Sequence, residues 1–150
     1  MTTPIIYFSH GNMLKGSDRA KACLDAIQTQ WPDAKIWNPA NTCMKTLANA
    51  KGGWDALYDQ IITRIQTSGG LMVVLENGGG HDRTIGRGVH KEVLLALQST
   101  AVIIPVYCWR DDTFQLVDGA VLVDTDDWTH RFGACTVAPS RAASTIPTNA

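Results

Sequence analysis

The chain reads as an α/β protein: a doubly wound, mainly parallel sheet of four to five strands with helices on both faces. Three observations predict it. Short β-branched and aromatic runs alternate with segments whose apolar residues recur at spacings of three and four. Leu71-Met72-Val73-Val74-Leu75 is apolar at every position, as a central parallel strand covered on both faces must be. The segments between runs have the length of crossover connections, which parallel strands require. At 150 residues the chain makes one domain, expected over 1–136, with a frayed tail over 137–150 where Ala, Pro, Ser and Thr dominate.

The elements follow in order. Pro4 to Ser9 is a strand run that breaks at His10-Gly11-Asn12. Ser17 can cap a helix carrying Ala20, Cys23, Leu24, Ile27 and Trp31 on one face, with Pro32 beyond its end. Ala34 to Trp37 reads as a second short strand stopped by Asn38-Pro39, and 42–50 as a short helix ending at Gly52-Gly53. Trp54, Leu57, Tyr58, Ile61, Ile62 and Ile65 form the clearest helical stripe, closed by Gly69-Gly70. After the 71–75 strand, Glu76 to Gly88 contains five glycines and no apolar periodicity, the mark of a long functional loop. A helix from Val89 presents Val89, Val93, Ala96 and Leu97 on one face. Ala101 to Ile104 is the next strand run; Pro105 removes a ladder donor, so the strand ends there or leaves that position unpaired. Ala120 to Asp124 is the fifth, after a turn-like Arg110-Asp111-Asp112. The whole pattern is Rossmann- or flavodoxin-like, and in such sheets ligands bind beyond the carboxyl ends of the strands. The loops 9–16, 38–41 and 76–88 are therefore the expected site.

Thirteen Lys and Arg against fourteen Asp and Glu give a net charge of −1, which removes the broad basic field of a binder of extended nucleic acid or anionic membrane. No apolar stretch is long enough to span a bilayer, and Met1-Thr2-Thr3-Pro4 has no basic n-region, so the expected location is the cytoplasm. Cys23, Cys43, Cys108 and Cys135 are isolated from one another, without CxxC or zinc-type spacing, and are expected to be reduced and mostly buried. No cofactor or metal is expected.

Glu92 falls at the edge of the buried face of the helix after the glycine loop, where a half-desolvated carboxylate can act as nucleophile or general acid–base. On local pattern alone, a first-turn glutamate that only complements the helix dipole explains it somewhat better. His81, Arg83, Arg87, His90 and Lys91 cluster around the same glycines, a composition that suits a phosphate or simply a solvated basic loop. The segment ends without the Lys-Ser/Thr of a P-loop and lacks the dinucleotide glycine spacing. Ser9-His10-Gly11-Asn12 is either a ligand turn or an ordinary polar turn, and Asp55 and Asp59 flank the apolar stripe one helical turn apart.

In this order, Ile5 to Phe8 with its glycine turn, the Asp-bearing helix, the 71–75 strand, Gly88-Val89-His90-Lys91-Glu92 and Val102-Ile103-Ile104-Pro105-Val106 resemble the nucleoside 2-deoxyribosyltransferase superfamily over about residues 4–107. The resemblance implies that Glu92 attacks or stabilises the anomeric carbon of a nucleoside or nucleoside 5′-monophosphate while the base leaves, with Asp59 as the assisting aspartate. It implies sugar contacts from Tyr7 or His10. Ser9, Gly11, Asn38, His81, Arg83, Arg87, Gly88 and His90 complete the expected substrate-binding set. It further implies a homodimer or larger assembly, with the segment 124–131 and its Trp128 at the interface. The inserted 78–83 segment departs from the compact family loop. A nucleotide-binding or sensor domain without catalysis is the alternative.

Overall fold

The computed structural model describes residues 3–41, 43–77, 85–98, 105–110 and 113–118. Strand β1 (Ile5–Ser9) leads to helix α1 (Asp18–Gln30), strand β2 (Lys35–Trp37), helices α2 (Met44–Lys51) and α3 (Trp54–Ser68), strand β3 (Leu71–Leu75), helix α4 (Arg87–Gln98), and strands β4 (Pro105–Arg110) and β5 (Thr113–Asp118). The sheet order is β2-β1-β3-β4-β5. The first three pairings are parallel, with Ile6 opposite Leu71 and Val74 opposite Val106, and β4–β5 is antiparallel. The coarse expectation, an α/β fold on parallel strands, holds.

Side-chain alternation on β1 and β3 feeds two cores. Tyr7, Met72 and Val74 pack with Leu57, Ile61 and Ile65 of α3 and with Val89, Val93 and Ala96 of α4. Ile6, Phe8, Leu71, Val73 and Leu75 pack with Ala20, Cys23 and Ile27 of α1 and with Trp31 at its C-cap. With helices on either side, neither face of these two strands can carry a polar residue without burying it, which accounts for the unbroken apolar run of β3 and for that of β1 up to Phe8; Ser9, the last residue of β1, is polar and buried. Full burial of one such side chain contributes about 1.5–3 kcal/mol.

Local chemistry sets the ends. Ser17 accepts a hydrogen bond from the Ala20 amide at 3.1 Å and donates to the Leu14 carbonyl at 2.7 Å, starting α1 where the sequence placed a cap. Gly69 stops α3 in the left-handed conformation, at φ 69°, and the Gly70 amide donates back to the Ile65 carbonyl at 2.9 Å. Gly70 also passes close to β1: a Cβ there would lie 1.9 Å from the Ile5 carbonyl oxygen. The Ile5 amide in turn donates to Ser68 Oγ at 3.0 Å, which ties the end of α3 to the start of the sheet.

The carboxyl-terminal half differs from the sequence reading. The run 101–104 lies outside the described residues. The observed β4 begins at Pro105 and continues to Arg110, because proline is tolerated as a strand's first residue even where it would interrupt its middle. The run 120–124 and the tail 137–150 likewise lie outside. The strand after β4 is Thr113–Asp118, an antiparallel neighbour in which Arg110 faces Thr113, and antiparallel neighbours need no helical crossover. Cys23 is buried as expected, but Cys43 is exposed. No described helix is long and apolar enough to cross a membrane.

Candidate functional site

Consecutive strands β1 and β2 are neighbours on one side, whereas β3 returns to the other side of β1, so the connections leaving β1 and β3 diverge and open a crevice. A cleft of about 530 Å³ lies here, within the range of small-molecule sites. Its wall combines Tyr7 of β1, the His10-Gly11-Asn12 turn, Lys15, the start of α2, the first turns of α3, and Gly86, Gly88, Val89 and Glu92 at the start of α4.

Glu92 stands immediately before Val93, which is fully buried, and three residues after Val89, so its side chain is drawn to the edge of the packed face and is only 9% exposed. Tyr7 and Ser9 alternate onto the same face of β1 and meet it there. Ser9 Oγ donates to Glu92 Oε1 at 3.0 Å, while Oε2 has no hydrogen-bond partner among the described residues. Burial pushes the Glu92 carboxyl up to about 7, and the Tyr7 and Ser9 hydroxyls restrain that rise by favouring the charged form. Both protonation states are thus populated near neutrality. Burial, and then the charge of Glu92, push the Tyr7 phenol strongly upward, so it stays a proton donor.

His10 is 7% exposed and stacks on Phe8 with ring centroids 4.3 Å apart. Its Nδ1 lies 3.1 Å from the Phe8 carbonyl oxygen. A carbonyl only accepts, so Nδ1 carries the proton and Nε2 is left as an acceptor. Burial lowers the His10 pKa, the Phe8 carbonyl opposes that, and Lys15 lowers it further, which keeps the ring neutral. His10 therefore suits orientation of a ligand donor better than acid catalysis. Gly11 sits close to β3's exit, since a Cβ there would come within 3.2 Å of Asn77 Oδ1.

Of the residues expected from sequence, Tyr7, His10, Gly11, Gly88 and Glu92 converge on the cleft, and Ser9 reaches it through Glu92. Asp59 does not. It lies two residues beyond the buried Leu57, about 200° around α3, and projects into solvent on the far side. Asp55 is also exposed and pairs with Lys91 at 3.0 Å. Asn38 is absent from the lining, and its Oδ1 accepts from the Ala40 amide at 3.0 Å. His90 is buried on α4 beside the cleft, its amide donating to the Gly86 carbonyl at 2.9 Å. Arg87 is the first residue of α4. His81, Arg83 and Trp128 lie outside the described residues.

Sequence reasoning missed Lys15, Lys45, Cys43 and the aromatic wall. Trp54 and Tyr58 belong to the α3 stripe, yet Trp54 is 44% exposed and its ring lies 5.8 Å from that of Tyr58 on the cleft side. The stripe thus serves two purposes: core at Leu57, Ile61, Ile62 and Ile65, and cleft wall at Trp54 and Tyr58. The exit of β3 is braced separately. Glu76, fully buried, accepts from Arg19 of α1 at 3.2 Å, an ion pair that lines no part of the cleft. Among the described residues no group of three or more His, Cys, Asp or Glu is placed to hold a metal ion. Comparison of the chain with protein-family models, with curated proteins and with solved structures returns no match.

Proposed function

We propose that the cleft binds a nucleoside or nucleoside 5′-monophosphate and that Glu92 cleaves its N-glycosidic bond, on a doubly wound sheet of the Rossmann or flavodoxin kind. The observation that carries this reading is the Glu92 carboxylate itself: buried in the cleft wall, held through one oxygen by Ser9, its other oxygen without a hydrogen-bond partner among the described residues. A glutamate serving only the helix dipole would sit in solvent, where ionisation costs nothing. Desolvation instead raises the basicity of the carboxylate.

In the reaction a Glu92 oxygen attacks the anomeric carbon as the carbon–nitrogen bond breaks, and the bonding pair leaves with the base, which takes a proton from solvent. Water or a second base then attacks the glycosyl ester and returns the carboxylate, giving hydrolysis or transfer. Tyr7, which stays protonated, and Ser9 orient Glu92, and Trp54 with Tyr58 offers an aromatic surface to the base. Asp59 has no part in this scheme, since it faces solvent. Arg83 and Arg87 are further candidates for holding an anion, the segment 124–131 for completing the site in a homodimer or larger assembly, and the cytoplasm is the proposed location.

The test is incubation of the purified protein with the common nucleosides and their 5′-monophosphates, ribo and 2′-deoxy, and chromatography for free base. Glu92→Gln preserves shape and removes charge, so it should lower base release by at least a thousandfold with ligand affinity retained. Near-normal turnover by that variant removes Glu92 from the mechanism. Ligand binding without base release by the wild type leaves a nucleotide-binding domain.

A further inference from the structure

The cleft has a charge imbalance that the chemistry of Glu92 does not use. Lys15, just beyond the 3-10 turn Asn12–Leu14, and Lys45, in the first turn of α2, come from segments separated by α1 and β2, yet both line the same cleft. Both are exposed, and neither ammonium has an ion-pair or hydrogen-bond partner among the described residues. Lys91, in contrast, lies outside the lining and is matched to Asp55 at 3.0 Å. The one carboxylate in the described lining is Glu92, which is buried and already engaged by Ser9. The cleft is therefore cationic whether Glu92 is ionised or neutral. Burial is what mainly lowers the pKa of His10 and hydrogen bonds from Thr46 that of Cys43, and the charge of Lys15 adds a smaller push in the same direction at each.

We infer that Lys15 and Lys45 form an anion subsite within the Glu92 cleft that takes the 5′-phosphate of a nucleotide, so that the ligand is a nucleoside monophosphate in preference to a nucleoside. This deepens, and rests on, the nucleoside reading of the cleft. Two ammoniums lining one cleft without a counterion among the described residues repel each other, and an anion bound there turns that repulsion into attraction. Each supplies three rotatable donors as a point charge, a combination suited to the terminal oxygens of a phosphate dianion, and the attraction acts on the ground state without taking part in bond cleavage.

The experiment is a binding comparison on the full chain carrying Glu92→Gln, which prevents turnover during titration. Each 2′-deoxynucleoside and its 5′-monophosphate is titrated by calorimetry, with and without Lys15→Gln/Lys45→Gln. The monophosphates should bind roughly ten- to a hundredfold more tightly than their nucleosides, with an advantage that shrinks as salt is raised from 50 to 500 mM and disappears in the lysine variant. Equal affinity for the two ligand classes overturns the inference. So does an equal loss for both in the lysine variant, or loss of the advantage in Arg83→Gln/Arg87→Gln but not in Lys15→Gln/Lys45→Gln. Where the lysine variant folds poorly, a preference that does not weaken with salt in the chain with intact lysines, or one that is lost in Arg83→Gln/Arg87→Gln, still overturns the inference. A lysine-dependent preference without base release by the wild type sustains the subsite and defeats the N-glycoside reading. Base release from nucleosides and monophosphates alike, unaffected by the lysines, does the reverse, and binding of neither class defeats both.

Discussion

Glu92→Gln also makes a stability prediction that needs no substrate. Burial holds the Glu92 pKa at about 7 in the folded chain against an ordinary value of 4.5, so between those pH values the folded state keeps a proton that the unfolded chain has lost. A carboxyl whose folded pKa is raised contributes most below the unfolded value, and its contribution is lost as pH rises through the folded one. Wild-type stability should therefore fall from about pH 4.5 to 7 and then level off, by on the order of 3 kcal/mol from this group. Glutamine keeps an acceptor for Ser9 and stays neutral, at the cost of about 1–3 kcal/mol for a buried amide without a full set of partners. That cost does not vary with pH. Relative to wild type, the variant should thus gain about 3 kcal/mol on moving from pH 4.5 to 8, or roughly 6–12 °C in Tm for a chain of this size. Urea unfolding of both proteins across this range measures the difference, and the remaining titrating groups cancel between them. A variant-minus-wild-type difference that is the same at both ends of the range would refute a buried, proton-binding Glu92.

Two further substitutions probe the groups around it. Ser9→Ala removes the hydroxyl that favours ionised Glu92, so the acid limb of base release should move to higher pH by about one pH unit, as read from a pH–rate profile; an unmoved limb would mean that the 3.0 Å bond does not act on the reacting carboxylate. Gly70→Ala would place a Cβ 1.9 Å from the Ile5 carbonyl oxygen, backbone against backbone with no flexible side chain to yield, and should cost more than about 3 kcal/mol in urea unfolding; a loss under 1 kcal/mol would show that β1 and β3 can separate cheaply at this point.

Much of the fold was legible because its signals are local. Period, caps and glycine stops depend on residues within a turn or two of one another, so Ser17 as a cap, Gly69-Gly70 as the end of α3 and 71–75 as a central strand could be read directly from the chain. Glu92 was legible for the same reason, by its spacing from Val89 and Val93 on one helix. What the sequence could not decide depends on rotation and on distant partners. Asp59 and Tyr58 are adjacent, and only the angle at which α3 meets the sheet turns Tyr58 to the cleft and Asp59 to water. Whether Pro105 ends a strand or begins one depends on the neighbours across the ladder, which lie at Val74 to Leu75 and at Thr113 to Asp118. Lys15 and Lys45 carry no motif at all, and the cleft acquires its positive charge only because the connections after β1 and β2 bring residues from two separate segments to its lining. Local pattern thus carried the elements from β1 through α4 and the carboxylate, but not the strands that follow. The tertiary structure decided what that carboxylate faces, because burial and proximity between residues 9 and 92 exist only once the strands have paired.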